Sequence, residues 1–107
     1  MEVSKAMKNT HGITLPEYNG YSSKFTWLVS LWLDNDYGLY SLLREWAKEA
    51  KSKQQLADQV KDFVEEQNPL AAEASMYSDM LSYAIALVDF NEVVEGYWEE
   101  RNTNDDE

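Results

Sequence analysis

The chain has no cysteine. Disulfides, thiolate metal sites and cysteine nucleophiles are excluded with it. It has one histidine, His11, so a zinc site built on several imidazoles cannot be assembled either. A Ser-His-Asp arrangement would need that histidine held rigidly. His11 lies instead in a stretch without hydrophobic period and reads as a solvated surface side chain. A long hydrophobic run is also missing. The longest uncharged apolar segment, Phe25–Leu33, is about half of what spans a bilayer, and no signal-type apolar run opens the chain. A soluble, cytoplasmic protein without a membrane partner is expected.

Positive charge is scarce, and scarcest at one end. The net charge is -11. Residues 1–24 are nearly balanced and residues 25–61 carry equal numbers of acids and bases. Residues 62–107 hold the remaining acids against Arg101 alone. Such a field opposes direct contact with nucleic acid or anionic lipid and attracts basic protein surfaces.

The stretch Asn19–Asp36 contains the apolar run. On a helix of about 23–34, Phe25, Trp27, Leu28, Val29, Leu31, Trp32 and Leu33 cover most of the circumference, and Thr26, Ser30 and Asp34 form the polar strip. A helix apolar nearly all round is expected at the centre of a bundle, with Trp32 fully buried. Ser22 or Ser23 caps its start. Asn35 or Asp36 caps a second helix, about 36–51, with Leu39, Leu42, Leu43, Trp46, Ala47 and Ala50 on its inner side. Ser52 and Gln55 form a capping box for a third, about 53–67, with Leu56, Val60, Phe63 and Val64 inward. Asn68-Pro69 stops it. Residues 70–75 read as loop or an early helical turn. A fourth helix, about 76–88, carries one charge, Asp79, and is the second candidate for deep burial. Asp89 or Asn91 caps a fifth, about 91–101, with Phe90, Val93, Val94, Tyr97 and Trp98 inward. Gly96 weakens it by roughly 1 kcal/mol relative to alanine.

The fold class is therefore all-α, a small bundle of four or five helices around the 23–34 helix. Residues 1–18 form an irregular arm ending in a Tyr18-Asn19-Gly20 turn signal. Its first ten or so residues are expected to be disordered. Residues 19–101 are the helical domain and 102–107 a frayed acidic tail.

No catalytic residue and no cofactor are assigned. Asp34-x-Asp36-x-Gly38 with Glu45 in twelfth place partly fits a calcium loop. The glycine sits one position early, however, and Leu39 stands where it belongs. A helix–helix turn with an N-cap accounts for the same letters, and no metal ligand is assigned. Carboxylates are plentiful, but general acid–base work needs them in an apolar cleft, and periodicity puts them on wet faces. The four tryptophans and seven tyrosines lack the basic groove that accompanies a nucleic-acid stacking platform.

The acidic faces themselves are the remaining candidate. Asp58, Asp62 and Glu65 line the outer face of the third helix, and Glu92, Glu95 and Glu99 that of the fifth. Carboxylates one or two turns apart lie roughly 5–10 Å from each other, comparable with the spacing of successive phosphates. Tyr21, Trp27 and Tyr37 form a secondary, aromatic set for a partner surface. A solvated surface explains the acids equally well.

The segment N-G-Y-S-S-K-F-T-W-L-V-S-L-W-L-D-N-D resembles N-G-[YW]-S-N-Y-E-T-W-x-V-x-L-W-[IL]-x-N-[DE] of small proteins encoded by phages and plasmids. The run from Asn68-Pro69-Leu70 through Ser75–Ala84 to Val88–Val93 is similar to a second segment of that family. The likeness spans about residues 19–98 and departs at Ser23, Lys24 and Phe25, where the family has Asn, Tyr and Glu. It implies a phage-type accessory protein of the host cytoplasm, by analogy with inhibitors of host defence. A CRISPR effector is the first candidate partner and a restriction enzyme the second, bound through its basic nucleic-acid surface and blocked by mimicry. The alternative is a structural or regulatory interaction module whose partner is another phage protein or itself.

Overall fold

The computed structural model describes residues 15–105, with side chains up to Arg101. His11 and most of the N-terminal arm lie outside the described residues. Five α-helices follow in order: α1 (Lys24–Asn35), α2 (Tyr37–Glu49), α3 (Lys53–Glu66), α4 (Met76–Ala86) and α5 (Phe90–Asp105). The fold is all-α, as the periodicity implies.

Side-chain chemistry at the helix starts accounts for most of the boundaries. The first free N–H groups of a helix need acceptors. The Ser23 hydroxyl accepts from Thr26 N–H, and Asp36 Oδ1 from Leu39 N–H at 2.9 Å. Ser52 Oγ takes Gln55 N–H while Gln55 Oε1 reaches back to Lys51 N–H at 2.7 Å. That is a capping box displaced by one residue. Ser75 caps α4 and Asp89 caps α5 in the same manner. Ahead of α1, Tyr18 and Tyr21 exchange both backbone hydrogen bonds. Asn19 and Gly20 between them have φ of 48° and 86°, the left-handed pair that an Asn-Gly turn supplies most readily.

The centre of the bundle is α5, which packs against α1, α2 and α3. Its Phe90, Val93, Val94 and Tyr97 are buried with Leu33, Leu43, Ala47, Leu56, Ala57 and Val60. Trp46 of α2 meets Phe63 of α3 edge-on, with ring centroids 5.7 Å apart. The helix also continues to Asp105, past the expected end at 101 and through most of the stretch read as a frayed tail.

Two expectations of burial are reversed. Trp32 is 71% exposed, and Phe25, Leu28 and Leu31 beside it are exposed as well. The inner side of α1 is instead its polar strip: Thr26 and Ser30 are buried together with Leu33. Thr26 Oγ1 accepts the Asp89 backbone N–H at 2.9 Å, and Asp34 Oδ1 accepts the Tyr97 hydroxyl at 2.5 Å. Thr26 to Asp34 is the same step along α1 as Asp89 to Tyr97 along α5, so the two helices run parallel, pinned at both ends. Thr26 enters the interior with its hydroxyl paired, which keeps the cost of leaving water small. The Ser30 hydroxyl is buried without a partner among the described residues, and Asp34 stays exposed while it holds Tyr97. The fourth helix is not deeply buried either. Only Ser78 and Ile85 are enclosed, while Met76, Tyr77, Met80 and Tyr83 are exposed.

Candidate interaction surfaces

The acidic strips come first. Asp58, Asp62 and Glu65 are exposed on α3, and Glu95 and Glu99 on α5. Gln54 joins the two helices: its Nε2 donates to Asp58 Oδ1 at 2.8 Å, and its Oε1 accepts from Asn91 Nδ2 at 3.2 Å. Lys53 Nζ stands 3.8 Å from Glu95 Oε1. Lys53 next to Glu95 and Gln54 next to Asn91 bring the first turn of α3 against the first half of α5. The two strips adjoin there as one row, Glu95 and Glu99 on α5 with Asp58, Asp62 and Glu65 on α3.

Glu92 does not belong to that row. It is half-buried, and both its carboxylate oxygens take the Ser22 backbone N–H, at 3.0 and 3.2 Å. It ties the chain entering α1 to the first turn of α5. Nothing in its i, i+3, i+7 spacing with Glu95 and Glu99 distinguishes it from them, because the distinction comes from a residue 70 positions away.

Arg101 is the only cation of the C-terminal stretch 62–107, and it is engaged internally. Its Nε donates to the Ala47 carbonyl at 2.8 Å, and its guanidinium lies 3.9 Å over the Trp98 ring. It closes the carboxyl end of α2, where carbonyls lack helical partners and the helix dipole favours a cation.

The aromatic set divides. Tyr37 is 82% exposed. Tyr21 and Trp27 are half-buried, with Trp27 packed edge-on against Tyr18 at 4.9 Å. The tryptophan on the surface is Trp32, which periodicity had placed in the core. It stands with Phe25, Leu28 and Leu31 on one face of α1, and Met76, Tyr77, Met80 and Tyr83 make a second exposed apolar face on α4.

Of the calcium-like letters, Asp34 holds Tyr97 and Asp36 caps α2. Among the described residues no three or more His, Cys, Asp or Glu side chains cluster as metal ligands would. No helix among them is long and apolar enough to cross a membrane. A recess of about 180 Å³ between the end of α3 and α4 is lined by Glu65, Asn68, Ala71, Ser82 and Ile85. It contains one carboxylate and no second titratable group, so it does not offer the paired acids that general acid–base chemistry uses.

The fold and surfaces thus define a small acidic five-helix protein with exposed charged and apolar faces. The chain belongs to the family described as Family of unknown function (DUF7249), which matches residues 14–105. No curated protein and no solved structure matches it.

Proposed function

We propose that this chain is a protein-binding accessory factor that blocks a nucleic-acid-handling protein by laying its row of carboxylates into that protein's basic groove. The observation that supports this most is the line Glu99, Glu95, Asp58, Asp62 and Glu65 on two adjoining helices, with the one cation of residues 62–107 drawn away to the end of α2. A row spaced at helical turns presents negative charge at intervals that phosphate-binding side chains accept, and the field around it speeds encounter with a basic surface. The resemblance to phage- and plasmid-encoded proteins supplies the partner class: a CRISPR effector first, a restriction enzyme second.

The test is two sets of charge reversals, Glu95→Lys with Glu99→Lys, and Asp58→Lys with Asp62→Lys and Glu65→Lys. Glu92 is left intact because it holds Ser22. Both sets should retain the wild-type helical signal. Each should slow association with the partner and flatten its dependence on salt. Partner nucleic acid should compete with the wild-type protein for one site. Unchanged binding by both sets, or simultaneous binding of protein and nucleic acid, overturns the mimic.

A structural or regulatory interaction module is the second reading, favoured by the exposed apolar faces of α1 and α4. Such a module would leave phage growth on a restricting or CRISPR-positive host unchanged and would co-purify with other phage proteins.

A further inference from the structure

We infer that the exposed face of α1 is a homodimer interface, in which α1 packs antiparallel against α1 of a second copy. Phe25, Leu28, Leu31 and Trp32 are 37%, 42%, 37% and 71% exposed. At about 200 Å² per large side chain these four leave roughly 400 Å² of apolar surface uncovered. A single patch of that size is within the range at which the largest patch of a monomer is often functional. Two of them face to face cover about 800 Å² before the polar rim of Lys24, Asn35 and Asp36 is counted, and that rim brings the contact to the roughly 1,000 Å² of a specific interface.

Charge selects the occupant. Each copy carries -11, so two copies approach with least repulsion where neither presents a run of acids. Between Lys24 and Asp34 the helix has no charge at all. Residues 25–61, which form α1, α2 and most of α3, are neutral in sum, whereas the exposed face of α4 is flanked by Glu73 and Asp79 and lies in the acidic half. A basic partner gains its electrostatic attraction at the acidic half and nothing along α1. A second copy meets its least repulsion there.

The ends of α1 fix the direction. Lys24 and Asn35 fall on the same side of the helix as Leu28 and Leu31 at 100° per residue, and both are exposed. With the two-fold axis between Leu28 and Leu31, Lys24 lies opposite Asn35 and Asp36 of the second copy. Trp32 then enters the space between Phe25 and Leu28. A parallel pairing would set Lys24 against Lys24. An isologous contact of this kind closes at two copies and leaves both acidic rows outside it.

Sedimentation equilibrium over a wide concentration range tests the pairing. The wild type should move from 12.4 kDa to twice that mass. The dimer should tighten as salt is raised, because salt screens the repulsion between two acidic copies. Binding of a basic partner through the carboxylate row would weaken instead, so failure of this inference is distinguishable from failure of the function proposed above. Leu28→Glu and Trp32→Glu should each raise the dissociation constant about tenfold or more, the loss expected at the centre of an interface. Met80→Glu, on the exposed face of α4, should leave it unchanged. Since the native chain has no cysteine, cross-linking gives a second readout that does not depend on those variants folding. Lys24→Cys mixed with Asn35→Cys should form a mixed disulfide in preference to either alone. A wild type that stays at monomer mass throughout, glutamate variants that dimerise normally, dissociation by Met80→Glu, or cysteine variants that cross-link no better mixed than alone would each overturn the pairing.

Discussion

Trp32 shows at the scale of one residue how far hydrophobicity and burial can part. It is one of the two bulkiest side chains of α1, yet most of its surface is in water. At concentrations where the chain is monomeric, Trp32→Ala should change stability by no more than about 0.5 kcal/mol. Leu56→Ala, at a site with no exposure, should cost about 2–5 kcal/mol. Circular-dichroism melts of the two variants side by side check the inversion. Tyr97 is a second informative residue. Burial first, and then its hydrogen bond to Asp34, raise its hydroxyl well above the ordinary value of 10.0. The folded chain therefore holds that proton more tightly than the unfolded chain. The associated stability is complete below about pH 10 and is lost as pH climbs beyond it. Tyr97→Phe should cost about 1 kcal/mol at neutral pH. In urea titrations at a series of pH values, the gap between wild type and this variant should narrow above pH 10.

Among the elements, α5 packs most extensively against the others and has the weakest local sequence. Gly96 lies within it, and a β-carbon there would meet nothing within 4 Å. Gly96→Ala should accordingly stabilise the protein by roughly 1 kcal/mol, the ordinary difference in helix propensity, measured as a rise in the midpoint of urea unfolding. The starts of four helices follow from residues legible in the chain, Ser23, Asp36, Ser52 and Asp89; Ser75, which caps α4, stands in a stretch that reads as loop or an early helical turn. Each is a short polar side chain whose capping role needs only its own next turn. The end of α5 was less legible. The polar run after Arg101 carries no apolar period, and the backbone stays helical to Asp105.

Across the whole molecule, charge is the dominant feature. With -11 on 107 residues, self-repulsion opposes the compact state. Raising simple salt should therefore raise the melting temperature, with the sharpest gain at low ionic strength, where the screening length is longest. Calcium or magnesium should do no more than a monovalent salt of matched ionic strength, since Asp34 and Asp36 already serve Tyr97 and the start of α2. A specific shift abolished by Asp36→Asn would revive a metal site at the α1–α2 corner. The same charge distribution separates the two interfaces proposed here. The carboxylate row suits a basic partner, and the neutral face of α1 suits a second acidic copy.

By itself the sequence determined the all-α class, a bundle of four or five helices in order, candidate caps for four of them and the inner faces of α2, α3 and α5. Those follow from local chemistry or from an unambiguous apolar period. Tertiary structure decided which side of α1 went inward. With apolar residues nearly all round, periodicity could not choose between the Thr26–Ser30–Asp34 strip and the Phe25–Leu28–Trp32 face. Two groups at α5, the N–H of its cap Asp89 and the Tyr97 hydroxyl, fit one side of α1: they find acceptors there at buried Thr26 and at exposed Asp34, in matching register. Satisfying those donors brought the polar strip against α5 and turned the tryptophan face outward. Glu92 was settled likewise by the Ser22 N–H, which it accepts. Such partners lie more than sixty positions apart in the chain, beyond the reach of any local pattern.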